Sequence, residues 1–278
     1  EGNESYASAD GSSGTVSADG SSTHTDADGN SHSVDADGNE SYAGADGSSG
    51  TMSADGSSSY SDAEGNSSTT DADGNGTYTS SDGSSGSYSA DGSYSHTDAD
   101  GNSHSMDADG NESYASADGS SGTVNADGSS THTDADGNSH SMDAEGNESW
   151  EGADGSTATM NADGSGTYTG ADGTTASMDA EGGGSYESAD GSSGTWDADG
   201  GGTYTDADGS SGSYSADGSY SHTDADGNSH SVDAEGNESY TGADGSSGTM
   251  SADGSSTHTD ADGNSHSMDA EGNESWEG

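Results

Sequence analysis

From Ala9 to the last residue, the sequence repeats every nine residues, thirty times, with no insertion or deletion. The first position of each unit is Ala except at Ser81, the second is always Asp or Glu, and the third is always Gly. Residues 1–8 form a partial unit of the same kind. A stacked structure needs such an unbroken period, because one inserted residue would shift every later side chain out of register. The sequence therefore predicts one tandem-repeat array over residues 1–278.

The composition excludes a conventional globular core. The chain carries 55 Asp and Glu residues and no Lys or Arg, which gives a net charge of -55, and only 22% of its residues are hydrophobic. So little apolar surface cannot offset the entropy lost when the backbone is ordered. A disordered acidic tail and a one-dimensional repeat stack both fit this composition, and the fixed period favours the stack. The charge argues against nucleic acid and membrane partners, and no segment predicts membrane insertion.

The large side chains alternate with a period of eighteen residues. In odd units, counted from Ala9, the large residue is at the eighth position, with Thr70 as the exception. In even units it is at the seventh position and is always aromatic, with His counted as aromatic. The odd-unit residues are Val16, Val34, Met52, Tyr88, Met106, Val124, Met142, Met160, Met178, Trp196, Tyr214, Val232, Met250 and Met268. The even-unit residues are His24, Tyr42, Tyr60, Tyr78, His96, Tyr114, His132, Trp150, Tyr168, Tyr186, Tyr204, His222, Tyr240, His258 and Trp276.

Each unit reads as one turn followed by one short strand. Asp-Gly favours a turn, because Asp bonds to the nearby backbone and Gly adopts positive φ. The Ser/Thr-rich residues that follow are typical of a strand. These features predict an all-β fold, a parallel β-solenoid (β-roll) with two strands and 18 residues per coil. Its aromatic row is expected to face the Val/Met row across a thin core, with Glu151, Glu187 and Glu277 in solvent, since burying unpaired carboxylates is costly.

The acidic nonapeptides with Ala-Asp-Gly turns resemble the calcium-binding β-roll repeats of RTX proteins. Those repeats read Gly-Gly-x-Gly-x-Asp-x-apolar-x, with two nonapeptides per coil and Ca²⁺ in the turns. This chain has one fixed Gly per unit instead of three, and its acid directly precedes that Gly. The resemblance implies the coil architecture and turn-bound Ca²⁺, but it assigns no individual ligand.

One class of turn is a candidate cation site. Fifteen units end in Asp, and in twelve of these the turn continues Ala-Asp/Glu-Gly-Asn. In the complete units, Asn follows the Gly only when that Asp is present. Carboxylate and amide oxygens at such spacing suit Ca²⁺, whereas Asx-turns with diffuse counterions need no specific ion. The candidate metal ligands are Asp26, Asp28, Asn30, Asp35, Asp37, Asn39, Asp71, Asp73, Asn75, Asp98, Asp100, Asn102, Asp107, Asp109, Asn111, Asp134, Asp136, Asn138, Asp224, Asp226, Asn228, Asp260, Asp262 and Asn264.

The histidines form five pairs eight residues apart. The pairs are His24/His32, His96/His104, His132/His140, His222/His230 and His258/His266. Their rings are expected to face the thin core, either as a transition-metal site or as neutral packed imidazoles. Protonation of buried pairs predicts loosening between about pH 5 and 6.5.

The sequence predicts a non-enzymatic protein, because Ser, His and Asp recur in every repeat without one unique constellation and no cofactor motif is present. The expected function is a structural element of an extracellular or cell-surface fibre, matrix or adhesin stalk, stabilised by Ca²⁺ and either self-associated into fibres or part of a longer chain. The alternatives are a mineral- or ice-binding solenoid, suggested by its Thr rows, and an acidic halophile surface protein.

Overall fold

All regular structure in residues 2–278, the part described by the computed structural model, is β-strand. The chain divides into two compact units, residues 1–137 and 138–278. Every strand has four residues, and five residues connect each strand to the next. The strand and turn lengths together account for the nine-residue period, so the predicted all-β repeat is confirmed.

The first unit contains strands β1 to β15. In chain order they are Glu4–Ala7, Ser13–Val16, Ser22–Thr25, Ser31–Val34, Glu40–Ala43, Ser49–Met52, Ser58–Ser61, Ser67–Thr70, Gly76–Thr79, Ser85–Tyr88, Tyr94–Thr97, Ser103–Met106, Glu112–Ala115, Ser121–Val124 and Ser130–Thr133.

The second unit contains strands β16 to β31. In chain order they are Ser139–Met142, Glu148–Glu151, Thr157–Met160, Gly166–Thr169, Thr175–Met178, Gly184–Glu187, Ser193–Trp196, Gly202–Thr205, Ser211–Tyr214, Tyr220–Thr223, Ser229–Val232, Glu238–Thr241, Ser247–Met250, Ser256–Thr259, Ser265–Met268 and Glu274–Glu277.

Within each unit, the turns reverse the chain direction from one strand to the next. In the turn from Ser17 to Ser21, the Ser17 N–H donates to the Ser21 carbonyl at 2.8 Å, and the Gly20 N–H donates to the Ser17 carbonyl at 3.0 Å. Gly20 has a φ of +92°, which favours glycine. The positive-φ glycine is the last residue of the four-residue turn 17–20. This arrangement is typical of a hairpin with a three-residue loop, here residues 18–20. The same pattern recurs along the chain.

Within each unit, consecutive strands therefore pair antiparallel, and the predicted parallel solenoid is wrong. In the hairpin of β2 and β3, Thr15 lies opposite Thr23 and Val16 lies opposite Ser22. Each nine-residue unit contains one strand and one tight turn, and the turn brings the next strand back alongside the strand before it. Each strand consequently pairs with its sequence neighbours rather than with the strand eighteen residues away. The 18-residue period is real, but it describes one hairpin rather than one coil.

The registers give each sheet two chemically different faces. Side chains alternate between faces along a strand, and directly opposed residues share a face. The aromatic face carries the first and third positions of odd-numbered strands and the second and fourth positions of even-numbered strands, for example Tyr6, Gly14 and Val16. The hydroxyl face carries the other positions, such as Ser5, Ser13 and Thr15.

The predicted grouping of side chains is confirmed, but the predicted core is not. The aromatic and Val/Met rows share the aromatic face, while Glu151, Glu187 and Glu277 lie on the hydroxyl face. The two rows lie side by side on one layer rather than opposite each other across a core. Among residues 2–278 no hydrophobic side chain is buried. Hairpin hydrogen bonds and cross-strand pairs therefore contribute most of the order.

Replacing a turn glycine should lower stability. Gly101 has a φ of +90°, so Gly101→Ala should cost about 1 kcal/mol, because a Cβ disfavours this conformation. Gly101→Asn is the matched control and should cost less, since Asn tolerates positive φ better than Ala. Urea unfolding followed by circular dichroism measures both variants. Equal stability of the Ala variant and the parent chain would contradict the assigned turn.

Candidate functional surfaces

The candidate metal-binding turns are organised by their first Asp. Asp26 Oδ1 accepts hydrogen bonds from the backbone N–H groups of Asp28 and Asn30, each at 2.9 Å. Asp26 Oδ2 accepts from the side-chain amide of Asn30 at 2.8 Å. The predicted coupling of Asp and Asn is thus a direct hydrogen bond. It recurs at 2.5–2.9 Å in the Asp/Asn turns at 35/39, 62/66, 71/75, 98/102, 107/111, 143/147, 224/228, 233/237, 260/264 and 269/273.

In most of these turns Asn also connects to the next turn on the same sheet edge. Asn30 Oδ1 accepts from the backbone N–H of Ala45 at 3.0 Å, fifteen residues along the chain. Asn102 makes the same bond to Ala117 at 2.9 Å. We call this pair of contacts, Asp to Asn to the next turn, the Asn latch. Its second bond could not be inferred from the sequence, because the two partners meet only after two chain reversals.

The latch lowers the pKa of the first Asp. In the turn at Asp98, the side-chain amide of Asn102 is the largest cause of the lowered carboxyl pKa, followed by the Asn102 backbone N–H. Both groups donate to the ionised form and stabilise it. Most other turns use a different cap: the Asp10 carboxylate accepts from the Ser12 N–H at 3.0 Å and the Ser12 hydroxyl at 2.8 Å, which also lowers its pKa. Sequence reasoning missed this Ser cap.

The hydrogen bonds leave one free carboxylate in each latched turn. Both Asp26 oxygens and the Asn30 carbonyl oxygen already accept hydrogen bonds, whereas the Asp28 side chain accepts none. Within residues 2–278 no group of three or more His, Cys, Asp or Glu side chains is arranged to hold a metal ion. Ca²⁺ prefers six to eight oxygen ligands. In the turn at Asp26, the Asp28 carboxylate is therefore the predicted ligand that can meet a cation without breaking a protein hydrogen bond.

Removing the latch should expose one backbone amide. Asn102→Ser replaces Asn with the residue found in the other turns and removes the acceptor for the Ala117 N–H. We expect hydrogen exchange at Ala117 to become about 2- to 10-fold faster, since one exposed hydrogen bond contributes about 0.5–1.5 kcal/mol.

Exchange at Ala126, whose amide is held by Asn111 instead, provides the internal control for the Asn102→Ser variant. Measurement by NMR would contradict the latch if the two amides changed by the same factor.

Paired hydroxyl groups run along the hydroxyl face. Thr15 and Thr23 oxygens lie 2.8 Å apart, and Ser33 and Ser41 oxygens lie 2.7 Å apart. The same pair forms in every hairpin that joins an even-numbered strand to the following strand within a unit. Among these pairs the partners are the same residue type, except Thr51 with Ser59. Apart from Ala7, Ala43, Ala115, Glu151, Glu187 and Glu277, every described side chain on this face is Ser or Thr.

A repeated Tyr-Gly-His arrangement lies along the middle of the aromatic face. The Tyr78 hydroxyl is 2.6 Å from His96 Nδ1, two strands away, and the ring passes over Gly86 on the intervening strand. A Cβ on Gly86 would lie 2.6 Å from the Tyr78 ring, so the glycine gives the ring its space. The same contact joins Tyr6 to His24, Tyr114 to His132, Tyr204 to His222 and Tyr240 to His258.

The histidines lie on the aromatic face, and none of them is a buried residue. Four of the five predicted pairs lie within one unit and are directly opposed across strands, as are His24 and His32. The side chain of His32 is 48% exposed, and its Nε2 lies 3.2 Å from Glu40 Oε2. The prediction that the rings face a core is therefore wrong. The expected loosening between pH 5 and 6.5 rests on rings that face a core, and it therefore does not follow from this surface arrangement.

Two shallow depressions form on the aromatic face where small residues separate large ones. One, of about 300 Å³, is lined by Glu40, Tyr42, Gly50, Met52 and Tyr60 among others. Its two tyrosine rings stack with centroids 6.4 Å apart.

The other depression, also of about 300 Å³, belongs to the second unit. It is lined by Trp150, Ala158, Met160, Tyr168, Ala176, Met178 and Trp196 among others.

Comparison with known proteins gives limited similarity. No protein-family model and no curated protein matches the chain. Among solved structures, the TCP10 domain of Danio rerio CPAP in complex with a peptide of Danio rerio STIL is 20% identical, with a TM-score of 0.36, and the match covers 65% of this chain and 95% of that one. The SAS-4 TCP domain of Drosophila melanogaster, in complex with a proline-rich motif of Ana2, is 21% identical, with a TM-score of 0.34 and coverage of 45% and 84%. At these values no function is taken from either protein.

Proposed function

We propose that the chain is a non-enzymatic structural repeat protein of an extracellular fibre, matrix or stalk, stabilised by divalent cations such as Ca²⁺. The supporting observation is that each nonapeptide forms the same strand and turn, so chemical groups recur as rows. Catalysis needs one unique and preorganised constellation. Rows of equivalent groups suit a spacer, or a scaffold that partners bind at many equivalent positions. Self-association into fibres belongs to the same proposal.

Free carboxylates at the turns support the cation part of the proposal. Asp28 and its equivalents accept no hydrogen bond from the protein, and the chain has no Lys or Arg to pair with them. Turns on one sheet edge are two strands apart, which is about 9.6 Å at the usual strand spacing. That separation is close to the Debye length of about 10 Å at 0.1 M salt. Repulsion between neighbouring turns is therefore milder than in a coil that stacks every turn at about 4.8 Å.

Cations should consequently raise the stability of a sheet that already folds without them. After dialysis against EDTA, the chain should keep its β circular dichroism, and millimolar Ca²⁺ should raise its Tm more than NaCl of equal ionic strength. Mg²⁺ serves as the control for charge alone. No difference between Ca²⁺ and matched NaCl would contradict a role for divalent cations. Folding only in molar NaCl would favour the acidic halophile protein instead.

A second candidate function is binding to a mineral or ice surface through the hydroxyl face. The observation that favours it is the regular two-dimensional array of Ser and Thr hydroxyl groups. Inhibition of calcite or ice growth measures this activity. Thr159→Ala with Thr167→Ala should weaken the inhibition, because it removes one hydroxyl pair. Ala158→Ser with Tyr168→Phe alters the opposite face of the same strands and provides the control.

A further inference from the structure

The aromatic face is exposed and has no partner within either unit. Tyr60 is 46% exposed, Tyr168 46%, Met52 59% and Met250 56%. These side chains form a stripe that continues from strand to strand, rather than scattered apolar residues. A continuous exposed apolar stripe generally marks an interaction surface.

The charge of the chain decides what can cover this stripe. A second copy would bring another net charge of -55, and two packed sheets lie about 10 Å apart, so their acidic turns would repel. A cationic partner would be attracted instead. Since the chain contains no Lys or Arg, the side chains that an incoming cation must displace are histidines, such as His32 beside Glu40.

The depression at Tyr42 shows which cation fits. Its rings, Tyr42 and Tyr60, are half exposed, and Glu40 lines the same depression with a 51% exposed side chain. A guanidinium group stacks on aromatic rings and pairs with carboxylates through its planar fork, whereas a Lys ammonium lacks both geometries. Here the Tyr42 and Tyr60 rings offer a stacking surface for a guanidinium group, and the Glu40 carboxylate offers an acceptor for its N–H groups.

We infer that the aromatic face docks an arginine-rich polypeptide. The rings of alternate strands recur about every 9.6 Å along each sheet. A chain with several arginines therefore engages several rings at once, and each further contact is intramolecular once the first has formed. This inference goes beyond the proposed structural role, and it holds whether or not divalent cations stabilise the sheet.

The three tryptophans lie on this face. Trp150 and Trp276 occupy third positions of odd-numbered strands, and Trp196 occupies a fourth position of an even-numbered strand. All three positions belong to the aromatic face. The Trp196 indole N–H donates to the Gly182 carbonyl of an acidic turn at 3.0 Å. A Trp196→Tyr variant, which keeps Trp150 and Trp276, therefore distinguishes docking on this face from binding at the acidic turns.

The test compares two labelled peptides of equal charge, eight repeats of Arg-Gly-Ser and eight repeats of Lys-Gly-Ser, at about 0.15 M salt. Because only the guanidinium stacks flat on a ring and pairs with a carboxylate through two N–H groups, the arginine peptide should bind about fivefold or more tightly by fluorescence anisotropy. It should also change tryptophan fluorescence in a saturable way.

A control variant moves the reporter to the other face. It carries Trp150→Tyr, Trp196→Tyr and Trp276→Tyr, with Thr169→Trp on the hydroxyl face. This variant should bind the arginine peptide while its tryptophan signal stays constant. Equal affinity for the two peptides, or binding to the parent chain without a tryptophan change, would overturn the inference. The inference would also be overturned if sedimentation showed that the chain is a dimer and that the arginine peptide does not dissociate it.

Discussion

Between pH 7 and about pH 4.5 the sheet should keep its full order, and below about pH 4 it should lose stability steeply. The carboxyl groups that cap the turns have lowered pKa values in both kinds of turn. The Asn39 side chain is the largest cause at Asp35, and the Ser57 backbone N–H is the largest at Asp55. Because these pKa values are depressed in the folded state, the stabilisation is complete above the unfolded pKa. It is lost as pH falls through the folded pKa.

Protonation of the carboxylates also has a stabilising effect on the sheet, but we expect this effect to be weaker than the loss of the turn hydrogen bonds. Protonation relieves repulsion among the 55 carboxylates. The turns on one edge are about 9.6 Å apart, however, so salt near 0.1 M already screens much of that repulsion. The turn hydrogen bonds are direct contacts, and salt screens them little. Acid should therefore destabilise the sheet, most clearly at moderate ionic strength.

Thermal unfolding by circular dichroism over pH 2–7 measures this effect. The Asn102→Ser variant is the matched local control, since it removes the largest cause of the lowered Asp98 pKa. In that variant, NMR titration should show the pKa of Asp98 closer to its ordinary value. A Tm that falls already at pH 5–6.5 would instead indicate that histidine protonation controls stability. A Tm that rises steadily down to pH 2 would show that charge relief dominates.

Much of the local structure follows from the nine-residue period. Gly20 and its equivalents mark the turns, and the residues after them form the strands. The Asp-to-Asn coupling indicated that the two residues act together, and in the structure the Asn30 side-chain amide donates to Asp26. The placement of Glu151 away from the aromatic row also followed from the cost of burying a carboxylate. These features depend on neighbouring residues and on side-chain alternation.

The direction of strand pairing could not be obtained from the period alone. Nine residues fit either half a coil or one strand of a meander, and both place Val16 and His24 on the same side. A signal that separates the two was present in the hydroxyl residues. Thr15 matches Thr23 and Ser33 matches Ser41, eight residues apart, as expected for direct antiparallel neighbours. The latch between Asn30 and Ala45 had no such signal, because Ala occupies that position in almost every unit.

Cysteine cross-linking should separate the two pairings with a nearly all-or-none result. Thr195 and Thr203 are direct neighbours on β22 and β23, and their hydroxyl oxygens lie 2.8 Å apart. Thr195→Cys with Thr203→Cys should therefore form an intramolecular disulfide in a glutathione redox buffer. The chain has no cysteine of its own, so mass spectrometry of the trapped product reads the result directly.

The matched control is Ser185→Cys with Thr203→Cys, eighteen residues apart on the same face. In the antiparallel sheet these positions are separated by two strand spacings, about 9.6 Å, which exceeds the Cα separation of about 4.4–6.8 Å that a disulfide spans. This pair should stay reduced. A parallel coil of eighteen residues would place residues 185 and 203 one strand spacing apart. It would place residues 195 and 203 in the two opposing strands of a coil, where they are not hydrogen-bonded neighbours. Closure of the 185/203 pair and not of the 195/203 pair would therefore contradict the antiparallel sheet.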